Sequence, residues 1–460
     1  MAKTSPDNLS LLSVEKLIRL YQRREISPVD VVRDFFDRVS SVDKDIHSVL
    51  AMDPEGSMRA AREAEQFWMS HPGGDAAKPL CGIPVTVKDT LEAAGMPTTY
   101  GSLPFKNNLC PDSAAVTALR AAGALVVAKT NTSEFALSTY CINRLSPPTV
   151  NPLDKTRTAG GSSGGSAASV AAGLVPVSIG TDSAGSIRIP ASFCGIFGIK
   201  PSFGIIPFTQ RWRASPTRSH IGVVSSTARD AAITMQGMVR NIALWNSRRD
   251  AWSDDSVSLD KARIVYRADG VDYGQALKNA LAALQMAGVT VEEAPALPIF
   301  DVPGNVDDGP WAFSGDQYCA AERMIPNFFE KHSKDLTEYA YPIHSDGRHV
   351  KAWQYRKVLD ASEAYRTRML EWFQPFDFLL TPCCPEAPIQ PATIAESGLG
   401  PRYPGISIWN LAGNPVASVP FGVGEAGMPV SIQVIGRHGE DRRVLALAEH
   451  IESLRPLRSE

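Results

Sequence analysis

Apolar residues near the start of the chain recur every three or four positions, the spacing of one face of an α-helix. Over residues 9–24 this pattern predicts an amphipathic helix with an apolar face formed by Leu12, Leu17, Ile18 and Tyr21. A second helix has a clear N-terminal signal, because Ser27 can cap it, Pro28 suits its first position and Asp30 its third. These patterns predict a helical N-terminal region.

Helix and strand patterns alternate further along the chain. Asp112 and Gly123 bracket a helical segment, and the apolar run that follows at 124–128 predicts a buried strand. Another apolar run, Ile83–Val87, ends in Lys88, which puts a lysine at a strand end with few charged neighbours in sequence. The chain shows no internal repeat. This alternation is typical of an α/β sheet.

Composition and charge exclude several classes of protein. The length of 460 residues would by itself favour two or three domains. A net charge of −3 gives no reason to expect a nucleic acid or a membrane surface as partner. The sequence has no apolar run long enough for a membrane span and no apolar signal-peptide core near Met1. The seven cysteines, with Cys383 and Cys384 adjacent, show no metal-ligand spacing, so we expect reduced thiols, no metal, no cofactor and a cytoplasmic location.

The most informative stretch is Gly160–Ala191, where Ser162 and Ser186 lie 24 positions apart among glycines. Glycine beside a reactive serine lets a substrate approach the main chain and leaves N–H groups free to bind an anion. A flexible linker is one interpretation, but an alanine-rich segment follows the opening run directly. A phosphate-binding loop is another, but Ser166-Ala167 stands where the Walker pattern has Lys-Ser or Lys-Thr.

A hydrolase nucleophile elbow is the third interpretation of the opening run. The pattern G-x-S-x-G matches at 160–164 and again at 161–165, although a segment so rich in glycine and serine matches it by chance. An elbow also needs a histidine base, and His220 is one of several downstream candidates, none in a telling sequence context.

A longer pattern decides between these interpretations. The run G-G-S-S-G-G at 160–165, then G-T-D at 180–182, then G-S-I-R at 185–188 with Pro190, closely resembles the signature of the amidase signature family. Two further motifs resemble that family, namely L-C-G-I-P-V-T-V-K-D at 80–89 and K-T-N-T-S-E-F at 129–135. The resemblance covers roughly residues 10–50, 78–230 and 360–455, with little of it between about 236 and 355.

The resemblance implies a catalytic triad and a fold. Ser186 matches the family's nucleophile, Ser162 its bridging serine in a cis peptide, and Lys88 its base. An ordinary lysine has a pKa of about 10.4, so a base at this position requires burial that disfavours the ammonium form. The implied fold is α/β, a single large domain over 1–460 with a central mixed β-sheet enclosed by α-helices. Residues 236–355 would form a variable region that shapes the pocket or a lid.

The same resemblance assigns supporting roles. Backbone N–H groups of Ser183, Ala184, Gly185 and Ser186 would hold the oxyanion. Asp182, Arg188 and Ser163 would support the site, and we interpret Asp182 and Arg188 as a structural pair that orients the turn. Ala184 departs from the Gly-Gly that usually precedes the nucleophile.

A larger departure follows Lys200-Pro201-Ser202, where many relatives continue through an Asp to a Gly-Pro pair. This chain instead has Gln210-Arg211-Trp212-Arg213, which puts inherited substrate contacts in doubt. Trp212, and the aromatic-rich stretch from Trp311 to Tyr341, are therefore only candidate pocket residues.

Three functional hypotheses follow. The first is a hydrolase of small-molecule carboxylic amides or related C–N bonds, such as anilides and carbamates (a urethanase), acting through an acyl-Ser186 intermediate, with a homodimer as the candidate assembly. The second is the glutaminase (A) subunit of a tRNA-dependent amidotransferase, which the altered segment after Lys200 disfavours. The third is a catalytically silent binding protein, which the intact Lys88, Ser162 and Ser186 make the weakest.

Overall fold

The computed structural model describes residues 9–213, 215–242, 259, 261–268, 275–298, 312–384, 387–390, 400, 403–424 and 427–455. Its helices are α1 Val14–Gln22, α2 Pro28–Arg38, α3 Lys44–Ile46, α4 Pro54–Ser70, α5 Ala114–Ala121, α6 Gly164–Ala171, α7 Arg188–Cys194, α8 Ala228–Arg240, α9 Gln275–Met286, α10 Ala312–Met324, α11 Phe328–His332, α12 Ala340–Gly347, α13 Ala352–Phe373, α14 Pro404–Ala412 and α15 Asp441–Ser453. Its strands are β1 Val49–Met52, β2 Pro84–Lys88, β3 Leu125–Thr130, β4 Val150–Asn151, β5 Asp154–Thr158, β6 Val177–Asp182, β7 Phe197–Lys200, β8 His220–Ser225, β9 Ile264–Tyr266, β10 Val291–Glu293, β11 Phe378–Pro382, β12 Val416–Val423 and β13 Pro429–Gly436.

Among the described residues, eleven strands form one mixed sheet in the order β1-β3-β2-β6-β8-β7-β12-β13-β11-β9-β10, and β4 pairs with β5 separately. Strand β2, which ends at Lys88, runs parallel to both of its neighbours, β3 and β6. Parallel neighbours end at the same edge of a sheet, so the last residues of β2 and β6 lie side by side there. The predicted α/β fold, one domain with a mixed sheet enclosed by helices, is confirmed.

The central strands are buried along their whole length. Every residue of β2, β3 and β6 is buried, as expected for parallel strands covered by helices on both faces. Apolar side chains of these strands belong to the largest hydrophobic cluster, together with residues of α5, α6 and α8. The sheet therefore gives the residues at its edge a rigid support.

Both predicted N-terminal helices are present, but only the second begins where it was predicted. Helix α1 begins at Val14 and not at Leu9, because Ser13 caps it by accepting the N–H of Lys16. Helix α2 begins at Pro28, with the capping box between Ser27 and Asp30 complete.

The region 236–355 is described in part. Its described segments include α10, α11 and α12, and Trp311 lies outside the described residues, so the pocket or lid role of this region stays a prediction. None of the described helices has the length and apolar character needed to cross a membrane. All seven cysteines fall in described ranges, and each is a free thiol.

Candidate active site

Lys88 is the last residue of β2, and its side chain is fully buried. Its Nζ donates hydrogen bonds to Ser162 Oγ at 2.6 Å and to Thr181 Oγ1 at 2.9 Å. Burial lowers the pKa of Lys88 to about 7, against weaker opposing effects of Cys141 and Asp182. A large fraction of this lysine is therefore neutral near pH 7, and a neutral amine can accept a proton.

Ser162 stands in the loop that leads into α6, and the Gly161–Ser162 peptide bond is cis. Its side chain is fully buried beside Lys88. The glycine before it is needed for close packing, because a Cβ on Gly161 would lie 2.8 Å from the carbonyl carbon of Tyr140. The glycine at 161 therefore allows the loop to pack closely against the backbone of Tyr140, so the run is not a flexible linker.

Ser163 ties this loop to two other parts of the site. Its N–H donates to the carbonyl oxygen of Ser186 at 3.1 Å. Its hydroxyl donates to the carbonyl oxygen of Thr181 at 3.1 Å and accepts the Thr181 N–H at 3.3 Å. Ser163 thus connects the loop carrying Ser162 with the end of β6 and with the turn that carries Ser186.

Ser186 lies in the turn between β6 and α7 and is partly exposed, unlike Lys88 and Ser162. The residue before it, Gly185, has φ +115°, where L side chains are rare. A Cβ at this position would lie 2.6 Å from Cγ2 of Ile406. The turn therefore depends on a glycine at 185, and it leaves Ser186 on the accessible side of the site.

Asp182 and Arg188 form a fully buried ion pair that spans this turn, with Nε of Arg188 3.0 Å from Oδ2 of Asp182. The carboxylate also accepts the N–H of Ile187 at 3.2 Å. Proximity of the Arg188 guanidinium, with further hydrogen bonds, holds the pKa of Asp182 well below its usual range despite burial. The pair bridges the two ends of the turn, and its structural role stays a prediction.

The guanidinium of Arg188 also donates hydrogen bonds to residues that are distant in sequence. Its acceptors are the carbonyl oxygen of Ile406 at 2.8 Å, Gln433 Oε1 at 2.8 Å and Asn410 Oδ1 at 2.7 Å. Asn410 in turn donates to Asp182 Oδ1 at 2.8 Å. Arg188 therefore links the turn to α14 and β13.

One predicted oxyanion donor needs correction. The Gly185 N–H donates to Asp182 Oδ1 at 2.7 Å, so it is already engaged and not available to a substrate. In the part of the chain that the structure describes, the N–H groups of Ser183, Ala184 and Ser186 have no protein acceptor. These three remain the candidate donors.

His220, the candidate base of the nucleophile-elbow interpretation, makes its hydrogen-bond contacts with groups other than Ser162 and Ser186. It begins β8 opposite Asp182, and its Nδ1 lies 2.8 Å from the carbonyl oxygen of Arg218. Burial places its pKa well below the ordinary value. No hydrogen bond joins His220 to Ser162 or Ser186 among the described contacts, so the geometry favours Lys88 over His220 as base.

Trp212 is buried in an aromatic cluster and stacks on Phe135 at 4.2 Å between ring centroids. Tyr100, Phe105 and Phe328 complete the cluster around these rings. The Trp212 Nε1 has no partner among described residues. The role of Trp212 as a substrate contact stays a prediction.

Three residues of the site had no role assigned from sequence. Thr181 stands inside the quoted G-T-D motif, and its contact with Lys88 follows only from the pairing of β2 with β6. Asn410 and Gln433 lie more than 200 positions from Arg188, and no local pattern links them to it. Within the described ranges, His, Cys, Asp and Glu residues form no group of three or more that could hold a metal ion.

The family model Amidase matches residues 30–445 of the chain. The chain belongs to the amidase signature family. Amidase signature enzymes are hydrolases or amidotransferases that act on C–N bonds.

Two curated relatives and one solved structure illustrate the range of similarity. The A subunit of glutamyl-tRNA(Gln) amidotransferase from Alkaliphilus metalliredigens is 29% identical over 470 residues, covering 94% of each chain. A putative amidase, AmiB2, of Mycobacterium bovis is 31% identical over 421 residues, covering 86% of this chain and 87% of the relative. A crystal structure of an amidase superposes with a TM-score of 0.80 at 28% identity, covering 97% of this chain and all of that one. The amidase signature fold thus extends over nearly the whole chain.

Proposed function

We propose that this chain is an amidase that cleaves a small-molecule carboxylic amide or a related C–N bond, such as that of an anilide or a carbamate. The observation that carries the proposal is the buried contact between Lys88 Nζ and Ser162 Oγ at 2.6 Å. With its pKa lowered to about 7, Lys88 can act as a base at neutral pH, which an ordinary lysine cannot. Membership of the amidase signature family supports the same chemistry.

The proposed reaction is acyl transfer through Ser186. Neutral Lys88 takes the proton of Ser162 while Ser162 takes that of Ser186, and the Ser186 oxygen attacks the amide carbonyl carbon. When the C–N bond breaks, Ser162 returns a proton to the departing nitrogen, which leaves an acyl ester on Ser186. Water then attacks that ester, giving up a proton along the same path, and the carboxylic acid is released.

Backbone N–H groups of Ser183, Ala184 and Ser186 are the proposed donors to the oxyanion. Their lack of protein acceptors among the described residues supports this role. Losing one donor of this kind typically costs about 2.7–4 kcal/mol of transition-state stabilisation.

Labelling with a fluorophosphonate tests the proposal directly, because this reagent modifies an activated serine. We expect peptide mapping to find the adduct on Ser186 and Ser186→Ala to abolish both labelling and turnover. An adduct on Ser162 would refute the assigned roles. If His220→Ala lost activity while Lys88→Ala stayed near wild type, the nucleophile-elbow mechanism with a histidine base would replace the one proposed here.

The glutaminase subunit is the second candidate, because A subunits of glutamyl-tRNA(Gln) amidotransferases align over nearly the whole chain. The altered segment after Lys200 disfavours it. Screening the purified chain with amides, anilides, carbamates and glutamine, together with pulldown of partner subunits, separates the two. Turnover of a simple amide by the lone chain with no captured partner supports the amidase, whereas capture of partner subunits would favour the glutaminase. A cytoplasmic location and a homodimer stay predictions.

A further inference from the structure

Asn410 lies near the C-terminal end of α14 and is fully buried. Its side chain contacts both members of the ion pair that spans the turn between β6 and α7. It accepts a hydrogen bond from Nη2 of Arg188 at 2.7 Å and donates to Oδ1 of Asp182 at 2.8 Å. It also donates to the main-chain carbonyl oxygen of Asp182 at 2.9 Å. One amide therefore holds both the side chain and the backbone of the residue that ends β6.

The partners of Asn410 determine which way its amide points. A guanidinium only donates hydrogen bonds, so the atom that faces Arg188 must be the amide oxygen. The amide nitrogen then faces the two Asp182 oxygens and, at 3.4 Å, the carbonyl oxygen of Arg218, all of which are acceptors. An asparagine can accept on one side and donate on the other, whereas leucine can do neither and an ionised aspartate can only accept.

The carboxylate of Asp182 accepts the two backbone N–H groups on either side of Ser186. The N–H of Gly185 donates to Oδ1 at 2.7 Å, and the N–H of Ile187 donates to Oδ2 at 3.2 Å. Both oxygens also accept from Arg188, at 3.0 and 3.1 Å. A rotation of this carboxylate would break both flanking N–H bonds, so the backbone around Ser186 depends on the Asp182 rotamer.

A second residue of α14 meets the same turn. Ile406 lies four positions before Asn410 and therefore on the same face of the helix. Its carbonyl oxygen accepts Nη1 of Arg188 at 2.8 Å. Its Cγ2 lies 2.6 Å from where a Cβ on Gly185 would stand. One face of α14 thus packs against the turn and hydrogen-bonds to the ion pair across it.

We propose that Asn410 is a positioning residue for the nucleophile, because by holding the carboxylate of Asp182 it sets the backbone on both sides of Ser186. That backbone determines the direction of the Ser186 hydroxyl and of the N–H groups offered to the oxyanion. Among the described contacts of Asn410, none is with Lys88, Ser162 or Ser186. It therefore acts through Asp182. The proposal rests on the proposed function, since it takes Ser186 as the nucleophile.

The rate at which a fluorophosphonate labels Ser186 tests the proposal without a known substrate. In this reaction the serine oxygen displaces fluoride from phosphorus. Saturation kinetics separate the maximal labelling rate, which depends on alignment of the serine, from the half-saturating probe concentration, which depends on binding. We expect Asn410→Leu to lower the maximal rate about ten- to a hundredfold and to change the half-saturating concentration less than about twofold. Partial unfolding alone would lower the fraction of chains labelled and not the rate, and that result would overturn the proposal.

Asn410→Asp tests the route through Asp182. An aspartate at this position accepts from Arg188 as the amide does, but it donates to Asp182 only while it is protonated. At alkaline pH we expect its labelling to be as slow as that of Asn410→Leu, whereas the wild type keeps its rate there. A wild-type rate for Asn410→Asp at alkaline pH would show that the contact with Asp182 is not needed and would overturn the proposal.

Asn414→Leu is the matched control. Asn414 is 1% exposed, against 0% for Asn410, and its Nδ2 donates to the carbonyl oxygen of Gly436 at 2.8 Å and not to the turn. We expect this variant to lose stability in urea much as Asn410→Leu does, yet to be labelled at the wild-type maximal rate. An equal loss of rate in Asn414→Leu would point to general destabilisation and overturn the proposal.

The site of labelling separates the two proposals. Labelling of the wild type at a residue other than Ser186 would refute the proposed function, and this inference with it. Labelling of the wild type at Ser186, with unchanged rates in both Asn410 variants, would refute this inference alone.

Discussion

Lys88 Nζ lies 2.6 Å from Ser162 Oγ, with both side chains fully buried. A buried lysine is normally paired with a carboxylate, as Lys129 is with Asp89 at 3.0 Å. Lys88 instead has two hydroxyl partners, which satisfy hydrogen bonds without supplying negative charge. Desolvation therefore dominates its protonation equilibrium, and the site keeps a neutral amine close to a serine.

The pH dependence of turnover should report this amine. With the pKa of Lys88 lowered to about 7, the active neutral form grows as pH rises through about 7 and saturates above it. We expect kcat/KM to rise toward alkaline pH with an apparent pKa near that value. Lys88→Ala should lower kcat/KM about 10²–10⁴-fold. A wild-type profile flat across this range would contradict a lysine base.

Thr181 should act as a positioning residue for Lys88, because its hydroxyl accepts a hydrogen bond from Nζ at 2.9 Å. Such a bond favours the charged amine, so removing it in Thr181→Val should lower the pKa of Lys88 further. We expect the acid limb of the pH–rate profile to move to lower pH, and kcat to fall about ten- to a hundredfold as Nζ loses its orientation.

Thr181→Ser is the matched control, since it keeps the hydroxyl and loses only a methyl group. It should restore the wild-type pH profile and most of the rate. A purely structural role for Thr181 would lower the rate without moving the acid limb, and that result would contradict the positioning role.

Much of the fold could be predicted from sequence because its signals are local. The capping box at Ser27 and the apolar run ending at Lys88 are complete within a few residues, and both elements appear where predicted. The resemblance to the amidase signature family, which rested on motifs at fixed spacing, is confirmed by the family match.

The parts that sequence did not predict depend on contacts between distant segments. Thr181 meets Lys88 only because β6 pairs with β2. The engagement of the Gly185 N–H by Asp182 depends on a carboxylate rotamer that the Arg188 ion pair fixes. Spacing along the chain carries no information on which N–H in a turn is already bonded, so the oxyanion donors could be named only as a group.

The two residues before Ser186 should differ in their sensitivity to substitution. Gly185→Ala places a Cβ 2.6 Å from Ile406 at φ +115°, so the turn must shift. We expect a loss of about 1–3 kcal/mol in the free energy of unfolding and a severe loss of turnover. Ala184→Gly restores the Gly-Gly usual in the family and should stay close to wild type. Measurement of kcat/KM and of urea unfolding checks both, and an active, stable Gly185→Ala would show that the turn does not need this backbone.

Burying a neutral lysine should also make stability depend on pH. The unfolded chain protonates Lys88 up to its ordinary pKa of 10.5, whereas the folded chain holds this proton only below about 7. The unfolded state therefore binds more protons between these values, so the destabilisation by Lys88 is complete below about pH 7 and fades as pH rises toward 10.5.

Lys88→Met removes this effect. Its free energy of unfolding should exceed that of wild type most at pH 7 and less at pH 9.5, even though it is inactive. The exposed Lys16→Met is the control and should show no such trend. A Lys88→Met difference that stays constant between the two pH values would contradict a lowered pKa for the buried amine.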